Sequence, residues 1–540
     1  MATQENSSNI FGDKWPWIVL LAIILVGVGL RLYCFRGMWG TDDGEYARLA
    51  NAMARGNFGA FVQENYVDKF NAPAQLPFRI GLIFPLAVLF RFFGVSETTL
   101  VFYPLVISVA GVAVAFLCGR FLFNVKAGLI AAALWSVLPI DVESANYFLP
   151  DGIASFYGSL GVLVILLMIS SDAVGTFRKF LGGFVAGLLF GISWLSKESI
   201  VYLVPFCLIL LAIDLRKNFK DALPLWIGIA VASGGVLSTE MLTHYVSNGD
   251  FFLHMHETER SHVQSKSYLF YEGSRFGWPV GGSHMKALIK RLFLDGPSTI
   301  FLNPHFLFLP IVGLLAAAHA FYWRDRSFFI PALWMLTLAF MFNFASASFS
   351  SYTPLVLYDR YLHPLMLPAT VLTAGFLTKL IAADHQAAPA TTHGERFFWG
   401  MVMACLVAST SLYFGFRQVR DVSTRRPIYE IRDVAAMVKS SERVYSDPLS
   451  SKALEFLWGY PQGMRIVNYE GMRAEDIEPN SFVLVDKVRL DWLKVNVSMW
   501  LTKDYGYHEP EFASRPPESW KKVWQNDHAS LYRVDSLKGQ

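Results

Sequence analysis

Cysteine, charge and a cleavable leader are what this chain of 540 residues is short of. Its four cysteines (Cys34, Cys118, Cys207 and Cys405) all lie in or at the edge of apolar runs, which argues against a disulfide framework. No Cys/His spacing of a zinc site is present. Charged residues make up only 16% of the chain, and the net charge of +3 gives no basis for nucleic-acid binding. The first apolar run is followed by Arg31, Arg36 and an acidic cluster instead of a small-residue cleavage site, so it is read as a retained helix.

Apolar sequence is what the chain has in excess. Hydrophobic residues reach 54%, with a mean hydropathy of +0.37, as expected of a polytopic membrane protein. Runs long enough to span begin near Trp15, Glu97, Val125, Gly152, Phe180, Ser199, Leu223, Ser298, Phe328, Tyr361 and Phe397, about eleven helices in all. From about residue 417 charges return, and strand-like stretches (Arg443–Asp447, Arg465–Tyr469, Phe482–Asp486, Ala529–Val534) alternate with helical ones. This predicts a transmembrane domain over 1–416 and a small soluble α/β domain over 417–540.

The run from Pro77 to Gly94 decides the topology. Arg79 and Arg91 bracket eleven uncharged residues with Pro85 among them. As a helix these cover roughly 16 Å, about half a hydrocarbon core. An interfacial helix over 77–94 with both arginines snorkelling is the better reading. The remaining loops then fall into two sets. Arg120 and Lys126, Arg178 and Lys179, Arg216, Lys217 and Lys220, Arg324 and Arg326, and Arg396 lie in short basic loops, as the cytoplasmic side requires. The longer loops, including 247–297, fall outside. The N-terminus is therefore placed in the cytoplasm of an inner-membrane protein, and the C-terminal domain outside.

This choice gathers the unusual polar groups on the outer face. Asp42-Asp43-Gly44-Glu45-Tyr46 opens an amphipathic interfacial helix over about 43–56, where carboxylates suit either a helix start or a catalytic site. Asp151 follows Pro150 at the start of a span, as a cap or as a site acid. Lys197-Glu198 divides two apolar runs almost without a turn, either as a simple pair or as an anion-binding lysine. His254, His256, Glu257 and His262 offer divalent-metal ligands, or simply a solvated amphipathic segment. Arg360, beside Tyr361, suits a phosphate or an interfacial anchor. Outer acids facing outer cations describe a transfer reaction with an anionic leaving group. A transporter or flippase of an envelope glycolipid is the rival reading. It would show internal repeats and charges at mid-depth, neither of which is evident.

Taken together these residues resemble the polyprenyl-phosphate-sugar glycosyltransferases of the GT-C fold, in particular the lipid A aminoarabinose transferases and protein O-mannosyltransferases. The resemblance rests on Asp42, Asp43, Tyr46 and Ala47; on Phe70-Asn71-Ala72-Pro73; on Arg120-Phe121-Leu122-Phe123; on Pro150-Asp151; on Leu195-Ser196-Lys197; and on Arg360-Tyr361 with Pro364. It implies an inverting transfer from a polyprenyl-phosphate sugar donor to a lipid, glycan or protein acceptor on the outer side. Asp42 would be the catalytic carboxylate, with Asp43 and Asp151 supporting it. Lys197, Arg260 and Arg360 would bind the donor phosphate. Where aminoarabinose transferases carry Glu-Lys-Pro this chain has Asn71-Ala72-Pro73, which removes a metal-ligating acid and a phosphate-binding lysine; Lys69 would substitute for the lysine. No cofactor is required by this reading, and a divalent metal at His256 and Glu257 stays open.

Overall fold

A computed structural model describes residues 14–63 (except 36 and 39), 78–170, 175–265, 288–346 (except 323), 352, 354, 355, 357–382, 413, 429–491, 493 and 508–535, with the side chains of some helix-end residues left out. Its long helices follow the apolar runs. They are α1 (Trp15–Tyr33), α5 (Glu97–Leu122), α8 (Pro150–Ser170), α9 (Thr176–Ser196), α10 (Val204–Lys217, led by a 3-10 turn from Glu198), α11 (Phe219–Asn248), α15 (Phe329–Phe344) and α16 (His363–Ala382). Seven segments among the described residues are long and apolar enough to cross a membrane. The apolar helices α4 (Ile80–Phe93), α6 (Val125–Ser136) and α14 (Leu309–Tyr322) are shorter. The expected span at Phe397 lies outside the described residues, as do Lys69 and the Asn71-Ala72-Pro73 segment. The span expected from Ser298 is divided, with a short helix α13 (Gly296–Phe301) before α14.

Small residues set how closely the helices approach. Gly183 and Gly187 of α9 face Leu225 and Ile229 of α11, and Gly228 of α11 faces Phe180. A Cβ at any of the three would overlap the opposite backbone. Where lipid gives no hydrophobic drive to association, this backbone contact is what packing can use. Gly119 of α5 and Gly128 of α6 approach in the same way.

Two short helices complete the frame of the site. α2 (Asp42–Ala54) starts a few residues beyond α1 and buries Tyr46, Ala47, Leu49 and Ala50. α4 carries Pro85 in its interior and has fourteen residues, so it is short for a span, as expected of 77–94. One expectation about it fails. Arg91 is exposed, but Arg79 is buried, because a carboxylate from a distant segment (Glu198) pairs with it. Snorkelling to water is unnecessary for a cation that is neutralised in place.

The C-terminal residues form a five-stranded sheet in the order β2-β1-β3-β5-β4. β1 (Arg443–Ser446) runs parallel to β2 (Arg465–Asn468) and β3 (Ser481–Asp486), and β5 (Ala529–Val534) pairs antiparallel with β3 and β4 (Lys521–Gln525). β4 was not expected from the sequence; its charged start (Lys521, Lys522) hides an edge strand. Helices α17 (Tyr429–Met437) and α18 (Pro448–Leu457) precede and follow β1. Ile431, Val434, Ala453, Leu454 and Phe456 from these helices share one apolar core with Tyr46, Leu49, Leu86 and Phe90 of α2 and α4. The tail is thus packed onto the membrane part.

Asp447 links β1 to α18. Its Oδ1 accepts from the Leu449 and Ser450 amides, each at 2.9 Å, which caps the helix. Burial, with the neighbouring Asp486 carboxylate adding to it, raises its pKa to about 6. An unfolded aspartate titrates near 4. The folded state therefore holds the extra proton between these values, and this residue's contribution to stability falls as pH rises from about 4 to 6. Asp447→Asn keeps the capping oxygen and removes the charge. We expect it to stabilise the sheet by about 1–3 kcal/mol above pH 6, with the gain vanishing near pH 4, as measured by hydrogen exchange of residues 443–534.

Candidate functional site

Four chain segments deliver the polar groups to one end of the helix bundle. Asp42 is the first residue of α2, Asp151 lies in the first turn of α8, Lys197 directly follows α9, and Arg360 precedes α16 in a 3-10 turn (Asp359–Leu362). Asp151, Lys197 and Arg360 stand where an apolar helix begins or ends, and Asp42 opens the amphipathic helix a few residues beyond α1, which is where a charge costs least next to a bilayer.

The four form a chain of alternating sign. Arg360 Nη2 donates to Asp42 Oδ2 at 3.2 Å, and Arg360 Nε lies 4.0 Å from Asp151 Oδ2. Lys197 Nζ donates to Asp151 Oδ1. Tyr361 lies between the cations, its ring centroid 3.7 Å from Lys197 Nζ and 5.4 Å from Arg360 Cζ. Asp151 and Lys197 are buried, whereas the Asp42 side chain is 40% and that of Arg360 28% exposed. The Asp151 Oδ2 oxygen makes no hydrogen bond in the described structure. The site therefore pairs a buried, fixed half with an open half.

Asp43 is turned away from this chain. Its Oδ1 accepts from the amides of Gly40 at 3.1 Å and Thr41 at 2.9 Å, closing the loop that carries Asp42. The Thr41 hydroxyl bonds the Tyr147 hydroxyl. Burial, reinforced by Asp43 and Asp42, holds the Tyr147 phenol well above its ordinary pKa, so it stays a neutral hydrogen-bonding partner there.

Glu198 begins a second chain. It accepts from Arg79 Nη2 at 3.1 Å, and Arg79 donates in turn to the Tyr46 hydroxyl on α2. On its other side His254 Nε2 lies 3.9 Å away, and His254 Nδ1 bonds Glu240 Oε1 at 2.8 Å. Trp194 Nε1 donates to Glu240 Oε2 at 2.5 Å. The pairing of Lys197 with Glu198 that their adjacency offered is replaced by separate partners, because consecutive residues point to different sides.

Of the candidate metal ligands in the 254–262 segment the structure describes His254, His256 and Glu257, while the His262 side chain lies outside the described residues. His254 is taken up by two glutamates, His256 is mostly exposed and bonds Asp250 Oδ2 at 2.8 Å, and Glu257 is buried. Among the described residues no three His, Cys, Asp or Glu side chains gather as metal ligands. Arg260 lies in α12 (Leu253–Ser265), while its side chain is outside the described residues.

A third buried cluster was not foreseen. Arg31 of α1 donates to Ser108 Oγ at 2.6 Å and to Asp141, and His363 Nε2 lies 3.1 Å from the other Asp141 oxygen. Burial alone would raise the Asp141 carboxyl, but Arg31 and His363 hold it below the usual carboxylate range. This cluster ties α1, α5 and α16 around the short helix α7 (Pro139–Ser144). The sequence signal was Arg31 at the end of the first apolar run.

Burial pulls the His254 imidazole down, but the nearby Glu198 carboxylate and the hydrogen bond to Glu240 outweigh it and raise its pKa to about 9. The stabilisation is complete below the unfolded value of about 6.5 and is lost as pH climbs through about 9. Hydrogen-exchange protection of residues 253–265 is expected to fall between pH 7 and 10 in the native protein. It should show little such fall in His254→Gln.

Residues 80–237 match the family model "Dolichyl-phosphate-mannose-protein mannosyltransferase". No curated protein sequence matches the chain. Among solved structures, ArnT from Cupriavidus metallidurans bound to undecaprenyl phosphate aligns over 98% of this chain and 99% of its own, at 14% identity and a TM-score of 0.57. Its apo state gives 97%, 99%, 14% and 0.56. The apo oligosaccharyltransferase of Archaeoglobus fulgidus aligns over 98% of this chain and 75% of its own, at 14% identity and a TM-score of 0.54. The chain is a multi-pass membrane protein with the GT-C fold of these solved structures.

Proposed function

We propose that this protein transfers a sugar from a polyprenyl-phosphate carrier to a lipid, glycan or protein acceptor on the outer side of the cytoplasmic membrane, inverting the anomeric carbon. The observation that carries this reading is the meeting of Asp42, Asp151, Lys197 and Arg360, drawn from segments up to 318 residues apart. The geometry supplies an accessible acid beside two cations at a helix-bundle end, with apolar helices to receive a lipid tail.

Lys197 and Arg360 would hold the donor phosphate. Asp42 would accept the proton of the acceptor hydroxyl or amine as its oxygen or nitrogen attacks the anomeric carbon. The bond from that carbon to the phosphate oxygen breaks, and its electron pair stays on the phosphate. The leaving polyprenyl phosphate thus gains negative charge, which the two cations stabilise. Arg360 is bonded to Asp42. A phosphate would draw Arg360 away and leave the Asp42 carboxylate able to take a proton. Asp151 would keep Lys197 in place, and Asp43 would hold the loop under Asp42. Arg260 and Lys69 are further candidates for the phosphate. The short basic loops at the far ends of the helices support a cytoplasmic N-terminus, and the C-terminal residues from about 417 would then form the outer domain.

The donor sugar and acceptor can be identified by mass spectrometry of envelope glycolipids and glycoproteins from cells lacking the gene. With that product as readout, Asp42→Asn is expected to lower transfer by about 10²–10⁴-fold while membrane insertion is unchanged. Full transfer by this variant would remove Asp42 as the base.

A further inference from the structure

We infer that helix α18 of the C-terminal sheet region is a positioning element for the Asp42 carboxylate, clamping the turn that carries it. The inference rests on the reading of Asp42 as the reacting acid.

The turn and the helix are in backbone contact. Gly40 and Gly44 bracket Asp42, and both lie against α18. Gly40 has φ +94°, and a Cβ there would come within 2.7 Å of the Leu449 carbonyl oxygen. At Gly44 a Cβ would meet Lys452 Cβ at 3.2 Å. A side chain at Gly40 would force the turn and α18 apart or shift Asp42 relative to Arg360, whereas one at Gly44 would need Met38 and Lys452 to give by a few tenths of an ångström. Glycine at both places lets the helix seat directly on the acid's own turn.

Charges then fix the register of α2 on α18. Lys452 Nζ lies 2.8 Å from Glu45 Oε1, and Arg48 Nε lies 2.9 Å from Glu455 Oε2. The ion pairs alternate in sign, which disfavours a slide by one turn. Below them Ala453, Leu454 and Phe456 share the core that holds Tyr46 and Leu49. Arg55 donates to the Gly459 carbonyl at 3.1 Å at the far end of α2, and Arg432 pairs with Glu97 at the start of α5. On the opposite side α2 rests on α4. The acid-bearing helix is thus held between a membrane helix and the tail. Glu45, which the sequence offered only as one more carboxylate of the acidic cluster, is a contact of that clamp.

Displacing a reacting group by about 1 Å can cost as much as 10²-fold in rate. A clamp of this kind should therefore appear chiefly in kcat and only slightly in donor binding, since Lys197 and Arg360 belong to other segments and Asp42 touches only one of them. Glu45→Lys and Lys452→Glu each break the pair, and the double variant restores opposite charges in reversed order. We expect each single variant to lower kcat about tenfold with donor KM within about twofold, and the double variant to recover to within about threefold of native. Hydrogen exchange of residues 40–54 should rise in the singles and return in the double. Native kcat in the singles, a loss confined to KM, or a loss that charge reversal does not restore would each overturn the clamp. If the native protein transfers no sugar, the functional reading fails separately, and the exchange of residues 40–54 still decides whether α18 clamps the turn.

Discussion

An unpaired charge held away from water is costly, and that cost is the constraint on which this structure depends. Asp151, Lys197, Arg79 and Glu198 are all at least half buried near the apolar bundle, and each meets an opposite charge brought by another segment. Removing one partner of such a pair typically costs about 3–5 kcal/mol, because the other is left buried and alone. The pairs consequently dictate how helix ends meet: α8 against the end of α9, α4 against the turn after α9, and α12 against α11 through His254 and Glu240. The site sits where these alternating charges reach the surface, at Arg360 and Asp42.

That arrangement balances the site's charges among themselves. Two carboxylates and two cations balance, so under the proposed function a phosphate would enter by exchange for a carboxylate. The exposed pair is the one that can exchange. Arg360 is bonded to a half-open Asp42, whereas Lys197 is buried with Asp151 and capped by the Tyr361 ring. A fixed cation and a releasable one are suited to a reaction in which negative charge grows on the leaving phosphate while a nearby acid takes up a proton.

Much of this was legible in the sequence because the informative residues interrupt long apolar runs. Asp42, Asp151, Lys197 and Arg360 each stand at such a break, and hydropathy alone marks the breaks. The strands from Arg443, Arg465, Ser481 and Ala529 were readable from β-branched and aromatic runs. Pairings across distance were not readable. Nothing near Arg79 announces Glu198, 119 residues away, so the arginine looked like an interfacial anchor. His254 looked like a metal ligand because its glutamate partners lie on other helices. The tail looked separable because a change in composition marks where a segment begins, whereas its packing onto α2 depends on two glycines and two ion pairs that have no linear signature.

Under the proposed function a lipid phosphate would displace Asp42 from Arg360 while Lys197 keeps its place. A cryo-EM structure of the native protein in nanodiscs with undecaprenyl phosphate tests it most directly. The account predicts the phosphate within hydrogen-bonding distance of both Lys197 Nζ and the Arg360 guanidinium, with the Asp42–Arg360 bond broken. A phosphate bound elsewhere, with that bond intact, would contradict it.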